Sequence, residues 1–368
     1  MTETLLVLNV GSSTVKYALY RLGAGREHLL ASATLEGAKA APAAVLERVL
    51  GEAAAHDVDE PTLVGHRVVH GGSTFTAPVK VDALVVEQLT RLVPLAPLHL
   101  PPALELMRYA LGRCAGAVHV ACFDTAFHHT LPEVARRFAL PDELYQAGLH
   151  RYGFHGLSYE YILSVLGTPL PERLIVAHLG SGASLCAIKA GRSIDTSMGL
   201  TPTGGIAMGT RSGDLDPGLM LYLMRERGYG PERLEQLVNH ESGLLGVGGS
   251  SDMVDLLSRT GAVDHRALAA IELFAYAIKK QIGAYVAALG GVDCLVFTGG
   301  IGEHAPLIRE LACADLDPLG IGLNPALNAE NAPVVSRIGS RCQVRVIPTN
   351  EDLVIARAVY GLARTLDV

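Results

Sequence analysis

The chain has 368 residues, 49% of them apolar and 18% charged, with 40 glycines, 19 prolines and a formal net charge of −7. That length predicts two domains, with three as the alternative, and that composition excludes a disordered chain. The acidic balance, without a basic run, speaks against nucleic acid or an anionic membrane as partner, and no window approaches the roughly 18 uninterrupted apolar residues of a membrane helix.

The first predicted element is a hairpin. Residues 5–10 (LLVLNV) form an apolar strand, 11–13 a Gly/Ser turn, and small and apolar residues continue a second strand to position 19. The pattern returns at residues 174–188, where Leu5, Val7, Gly11 and Ser12 align with Leu174, Val176, Gly180 and Ser181. Glycine lets backbone N–H groups approach an anion, and serine adds hydroxyl donors. Two such turns half a chain apart predict two related domains, each presenting a phosphate-gripping hairpin, with a nucleotide between them.

Between the hairpins, residues 40–55 are alanine-rich with apolar positions at helical spacing, 62–70 read as a strand, 80–92 and 101–111 as helices, and 117–123 as a buried strand ending at Asp124. Residues 141–157 are turn-rich and predict a hinge. After the second hairpin, helices are predicted at 217–227, 231–238 and 265–289, the last with Leu268, Ile271, Leu273, Ala275, Ile278, Ile282 and Tyr285 as its apolar face. A strand at 294–298 delivers the glycine run 299–302 into a helix at 306–311. A strand at 344–348 precedes the last helix, 351–364, where Thr349 and Asp352 resemble a capping box. The alternation predicts an α/β protein with mixed sheets and ligands at strand ends. Six cysteines (114, 122, 186, 294, 313, 342) form no C-x-x-C pair and read as reduced core thiols. With no basic stretch before the short apolar run at 5–10, no signal peptide is predicted and a cytoplasmic location is expected.

Several polar residues stand where chemistry needs them, each with a structural alternative. Lys16 follows the Gly/Ser turn and can meet phosphate oxygens as a point charge, or simply lie on an exposed strand. Arg67 interrupts an apolar strand and must find a partner, either a protein carboxylate or a carboxylate or phosphate substrate. Arg211, in the polar loop 208–216, favours an anion. Asp124 ends a buried strand, where catalytic and metal-binding carboxylates are placed; a helix N-cap is the alternative. Glu351 opens the last helix, suited to the helix dipole or to Mg²⁺. The glycines at 299–302 leave N–H groups facing an anion or polar ligand, or form a plain turn. His66, His70, His128 and His129 lack zinc-site spacing. His155 and His178 lie in strand-to-turn segments from which they could donate to transferred phosphate oxygens.

Taken in order, NVGSSTVK (9–16), GHRVVHGG (65–72), FDTAFH (123–128), YGFHG (152–156), HLGSG (178–182), MGTR (208–211), GGIGE (299–303) and PTNE (348–351) resemble the acetate kinase family over essentially the whole chain. The resemblance implies two duplicated actin-like (ribonuclease H-like) domains with mixed sheets flanked by helices and the nucleotide in the interdomain cleft. The first would span 1–150, joined by the C-terminal helix 352–368, and the second, nucleotide-binding domain 151–351. It implies ATP-dependent, Mg²⁺-requiring, reversible phosphorylation of acetate to acetyl phosphate, with Mn²⁺ able to substitute, in a cytoplasmic homodimer.

Residue by residue, the resemblance places Asn9 and Glu351 at the metal, and Ser12 and Lys16 at the nucleotide phosphates. Asp124, His155 and Arg211 become the catalytic groups, with Arg67 on the substrate carboxylate. Val69, Leu98, Phe154 and Pro202 line the acyl pocket with His99 nearby. ATP meets His178, Leu179, Gly180, Ser181, Gly182, Asp252, Met253, Val254, Gly300, Ile301, Gly302, Glu303 and His304. Ser181, Val254 and Gly204 depart from the family pattern, where asparagine, arginine and glutamate are frequent; these positions bear on nucleotide and acyl preference. Alternatives are a propionate or butyrate kinase and, more remotely, a non-catalytic actin-like nucleotide switch, for which Arg67, Arg211 and His155 would have no use.

Overall fold

The computed structural model describes residues 3–11, 14–23, 26–36, 42–58, 60–262 and 264–366. The expected contact at Ser12 lies outside the described residues. The chain divides into two units, one made of Met1–His129, Phe154–Tyr161 and Asn350–Val368, the other of Thr130–Gly153 and Ile162–Thr349.

The first unit holds β1 (Glu3–Val10), β2 (Thr14–Gly23), β3 (Arg26–Glu36), β4 (Leu63–Val68), β5 (Val79–Lys80) and β6 (Val118–Phe123), in the sheet order β3-β2-β1-β4-β6-β5. Strands β1, β4 and β6 run parallel, so their C-terminal ends open on one edge. Strand alternation sorts the apolar residues by face. Leu6, Leu8 and Val10 pack with the helices Pro42–Ala54 and Leu100–Arg113. Leu5 and Val7 face the other way, onto Leu157 and the last helix, Glu351–Leu366, through Ile355, Ala356 and Val359.

The second unit repeats this plan. Strands β7 (Arg173–Leu179), β8 (Ala183–Lys189), β9 (Arg192–Thr196), β10 (Cys294–Thr298) and β11 (Gln343–Val346) form a sheet in the order β11-β10-β7-β8-β9. In both units an antiparallel three-strand meander is followed by parallel strands added beside its first strand. The duplication seen in two hairpins therefore extends to five strands. All six cysteines are buried free thiols. Among the described residues, no helix is long and apolar enough to cross a membrane.

Some elements differ from expectation. The region 80–92 begins on the last residue of the short edge strand β5 and holds a helix only over Ala83–Arg91, whose cap, Asp82, accepts from the Val85 N–H at 2.8 Å. On the helix His265–Leu289, Leu273 is 43% exposed and the neighbouring Phe274 takes the core position. Asn350 caps the last helix by accepting from the Leu353 N–H at 3.0 Å, and the Asp352 carboxylate turns to Asn9.

Gly65 in β4 lies directly against the last helix. A Cβ there would lie 2.6 Å from Ile355 Cγ2 and 2.9 Å from Val359 Cγ2. Gly65→Ala is expected to destabilise the protein by about 1–3 kcal/mol through overpacking, read as a lowered urea midpoint. A variant as stable as the parent would mean that the helix does not rest on β4.

Candidate active site

The parallel strands of the first unit deliver three polar residues to one edge: Asn9 near the end of β1, Arg67 in β4 and Asp124 just past β6. The N-terminal turn of the last helix adds Glu351 and Asp352. The Arg67 guanidinium grips Asp124 with both prongs, Nε to Oδ1 at 2.9 Å and Nη2 to Oδ2 at 2.7 Å. Its Nη1 donates to Asn9 Oδ1 at 2.9 Å and lies 3.3 Å from Glu351 Oε2. The Asn9 amide then donates to Asp352 Oδ1 at 3.3 Å. Asp124 is buried, its side chain 1% exposed. Burial alone would lower the Arg67 pKa, but Asp124 and Glu351 outweigh it and hold the guanidinium firmly charged. Burial raises the Asp352 carboxyl above its usual range, with Asn9 and the Arg67 and Lys16 charges opposing. Lys16 itself is exposed on β2, paired across the hairpin with Asn9.

His155 follows on the next segment, in the left-handed region at φ 59°. Gly156 opens the helix Gly156–Leu166 by donating its N–H to the Asp124 carbonyl at 2.9 Å. Phe154 is buried, with its ring edge-on to His70 at 5.5 Å, and Val69 is buried beside His70 in sequence. Leu98 and His99 are half-buried ahead of the helix Leu100–Arg113.

In the second unit the β7–β8 turn is closed by Gly180 N to Gly182 O at 3.1 Å. His178 is half-buried on β7, where Leu179 is buried; Ser181 is exposed at the turn. The Ser181 carbonyl accepts from Gly209 N at 3.1 Å, which ties the turn to the Arg211 loop. Arg211 Nη1 donates to the carbonyl of buried Pro202 at 3.1 Å, and desolvation lowers its pKa. Gly204 precedes Gly205, whose N–H is held by Asp214 at 2.7 Å. The structure thus brings Ser181, Pro202 and Arg211 onto linked loops.

The remaining expected contacts have visible structural duties. Asp252 caps the helix Met253–Arg259 through Val254 N at 2.9 Å; Met253 is buried and Val254 is 75% exposed. The glycine run is itself a short helix, Gly299–His304, with Gly300 exposed, Ile301 half-buried and Gly302 buried. The Glu303 carboxylate accepts from Gly299 N at 2.8 Å and Thr349 N at 3.1 Å. His304 is exposed, 3.8 Å from Glu303.

Three residues have surroundings that the sequence does not announce. The spacing of Asp352 from Thr349 suggests only a cap, whereas its carboxylate accepts from Asn9. Arg309, fully buried, donates to the carbonyls of Gly302, Glu303 and Asn328 and to Asn328 and Asn331 Oδ1 at 2.6–3.1 Å; burial pulls its pKa down to about 10. Its only early signal was a cation in an amphipathic helix, because both asparagines lie some twenty positions away. Glu160, one turn beyond Gly156, has its pKa pushed up to about 7 by burial first and the Asp124 charge second.

A model of one protein family, described as the Acetokinase family, matches residues 32–357. An acetate kinase of Rhodopseudomonas palustris (strain TIE-1) is 44% identical over 396 aligned positions, covering 99% of each chain. The chain belongs to the Acetokinase family, as its eight motifs indicated. Among solved structures, an acetate kinase of Porphyromonas gingivalis superposes with a TM-score of 0.87 at 37% identity, covering 98% of this chain and 100% of that one. A propionate kinase from Francisella tularensis subsp. tularensis SCHU S4 does so at 0.89 and 34%, covering 98% and 99%.

The Glu160 shift has a thermodynamic sign. Its folded pKa, near 7, lies above the usual 4.5, so its contribution is most favourable below about 4.5 and is lost as pH rises through 7. Glu160→Gln is therefore expected to gain about 1–3 kcal/mol on the parent between pH 5 and pH 8, measured by urea unfolding at both. A parent and variant with parallel pH profiles would remove the shift.

Proposed function

We propose that the protein phosphorylates acetate with ATP, reversibly, giving acetyl phosphate and ADP by direct in-line transfer. The observation that carries this reading is the Arg67–Asp124–Asn9–Glu351 cluster, a planar guanidinium held rigid at a strand edge by protein carboxylates. Acetate, with a carboxyl pKa near ~4–5, is already ionised at neutral pH and needs no general base. Asp124 is therefore assigned to orientation: its two oxygens fix the plane of Arg67, and Arg67 aligns the acetate oxygen for attack. His155 and Arg211 neutralise the charge that spreads over the equatorial oxygens of the phosphoryl group. The family resemblance assigns Lys16 and the 178–182 turn to ATP, and Val69, Leu98, Phe154, Pro202 and His99 to the acyl methyl.

The donor chemistry fits Mg²⁺, a hard cation that takes oxygen ligands and is held by one or two carboxylates plus substrate phosphates. Among the described residues no three His, Cys, Asp or Glu side chains form a protein cage for a metal. Asn9 Oδ1 and the Glu351 carboxylate would hold the ion, with Mn²⁺ able to substitute. When bound, it screens the phosphate charge. Buried free thiols suit a reducing compartment, in keeping with a cytoplasmic location.

Incubation of the purified protein with Mg·ATP, hydroxylamine and one of acetate, propionate, butyrate or no acid is expected to give acetate-dependent ADP and acyl hydroxamate. Propionate should follow within about 10–200-fold in kcat/KM, the worth of a methylene in an apolar pocket; a reversed order would make the protein a propionate kinase. Asp124→Asn should lower kcat on the order of 10²-fold through misalignment. ADP release independent of any acid would return the reading to a nucleotide switch.

We also infer that the protein is a homodimer. The helix Pro217–Arg227 has no buried residue, yet Leu219, Leu221, Tyr222 and Met224 are 41–53% exposed on it. A helix apolar on every side is normally covered. A second copy is the occupant that the family resemblance implies. Light scattering should give twice the chain mass of 38.8 kDa, and Leu221→Glu should reduce it to one chain; a monomeric parent would refute the dimer.

A further inference from the structure

The left-handed backbone of His155, at φ 59°, is a conformation that residues with a Cβ rarely occupy, so neighbouring bonds must impose it. Both flanking peptide groups are tied to a single segment, residues 124–128. On the C-terminal side, the Gly156 N–H donates to the Asp124 carbonyl at 2.9 Å. The approach is so close that a Cβ on Gly156 would lie 2.3 Å from that carbonyl oxygen and 2.7 Å from Phe127 Cβ. On the N-terminal side, the Phe154 carbonyl accepts from the His128 ring Nε2 at 3.0 Å.

His128 is well placed to hold that carbonyl. Its side chain is buried, with the residue 2% exposed. Its ring stands edge-on to Phe127 at 5.5 Å and to Tyr159 at 5.6 Å, so neighbouring aromatics set its plane. Its backbone is pinned in a tight turn by the bond from His128 N to Thr125 O at 3.1 Å. Because a carbonyl can only accept, Nε2 must carry the proton. Asp124 meanwhile sends its carboxylate to Arg67 and its carbonyl to Gly156. One short segment thereby fixes both the group that would align the acceptor and the backbone of the group that would meet the phosphoryl.

We propose that His128 is a positioning residue, which holds Phe154 and His155 in the left-handed turn that aims the His155 ring. The inference rests on the reading of His155 as a phosphoryl-stabilising group. It adds that the aim is set by a donor from another histidine, and that loss of this donor acts through His155.

The test compares His128→Phe, which fills the space without a donor, His128→Gln, whose amide can reach the same carbonyl, His155→Ala, and the double variant His128→Phe/His155→Ala. All are full-length chains checked by thermal melting. His128→Phe is expected to lose about 10–100-fold in kcat, the scale of a misplaced catalytic group, with KM for ATP within about threefold. His128→Gln should recover most of that loss. His155→Ala should lose on the order of 10²-fold or more, and adding His128→Phe to it should cost nothing further, because residues acting through one another are not additive. Multiplying effects in the double variant overturn the proposal, as does parent-like turnover in His128→Phe while His155→Ala is impaired. Parent-like turnover in His155→Ala instead defeats the underlying reading of His155. Should His128→Phe fail to fold, the ¹⁵N imidazole shifts of the wild-type protein decide the matter. An Nε2–H tautomer at His128 supports the proposal, and an Nδ1–H tautomer overturns it.

Discussion

A guanidinium largely withdrawn from water at the end of a sheet has to receive from the protein most of the hydrogen bonds that solvent gave it, and around Arg67 every provider comes from a different element. Asp124 supplies two acceptors from the end of β6, Asn9 one from β1, and Glu351 a carboxylate from the head of the last helix. An unpaired buried charge is prohibitive, whereas a bidentate pair is directional as well as strong. The arrangement therefore dictates how three parallel or adjoining elements must end. It also requires the last helix to return to the first sheet, which Gly65 makes possible by leaving room for Ile355 and Val359.

The two units share a strand plan but use it differently. In the first, the strand edge collects side-chain carboxylates around a cation. In the second, the corresponding edge is dominated by backbone: the Gly180–Gly182 closure, the Ser181 carbonyl held by Gly209, and the Glu303 carboxylate taking two amides. Side chains suit the recognition of a small planar anion, while closely packed main chain suits a large ligand that must be approached along its length. A duplicated scaffold can support both because the ends of its strands, rather than its core, carry the difference.

The parts of the fold legible in the sequence are those governed by local periodicity. The hairpins, the strand Cys294–Thr298 and the helix His265–Leu289 announce themselves by alternation or by helical spacing. Strands β3 and β9 escaped because they are outer strands with polar positions interleaved, such as Glu27 and His28 or Arg192 and Asp195. The helix Gly156–Leu166 escaped because a Gly-flanked histidine reads as a turn, and its start is set by the carbonyl of Asp124, thirty-two positions earlier. The site followed the same rule. That Arg67 needed a partner could be read from one strand, but which partner depended on the parallel pairing that puts Arg67 opposite Cys122, two residues short of Asp124. At the head of the last helix the local spacing of Thr349 and Asp352 does not disclose their long-range partners, Glu303 for the Thr349 amide and Asn9 for the Asp352 carboxylate.

Such a long-range partner also bears on the glycine run. A strand leading into a glycine-rich helix start ordinarily offers bare amides and a favourable dipole to a phosphate. Here the Glu303 carboxylate, four residues on, already accepts the Gly299 N–H and the Thr349 N–H, so an anion at Gly299 would compete with the protein's own carboxylate. Arg309 does not cancel that charge: its donors reach the Gly302 and Glu303 carbonyls at the far end of the turn. A phosphate brought to Gly299 would meet repulsion as well as lost hydrogen bonds. On the proposed reading, the Ser181 and Gly182 amides would meet phosphate, whereas the Gly299–His304 segment would meet an uncharged, flat part of the nucleotide, with glycine at 300 leaving its exposed face open to close approach.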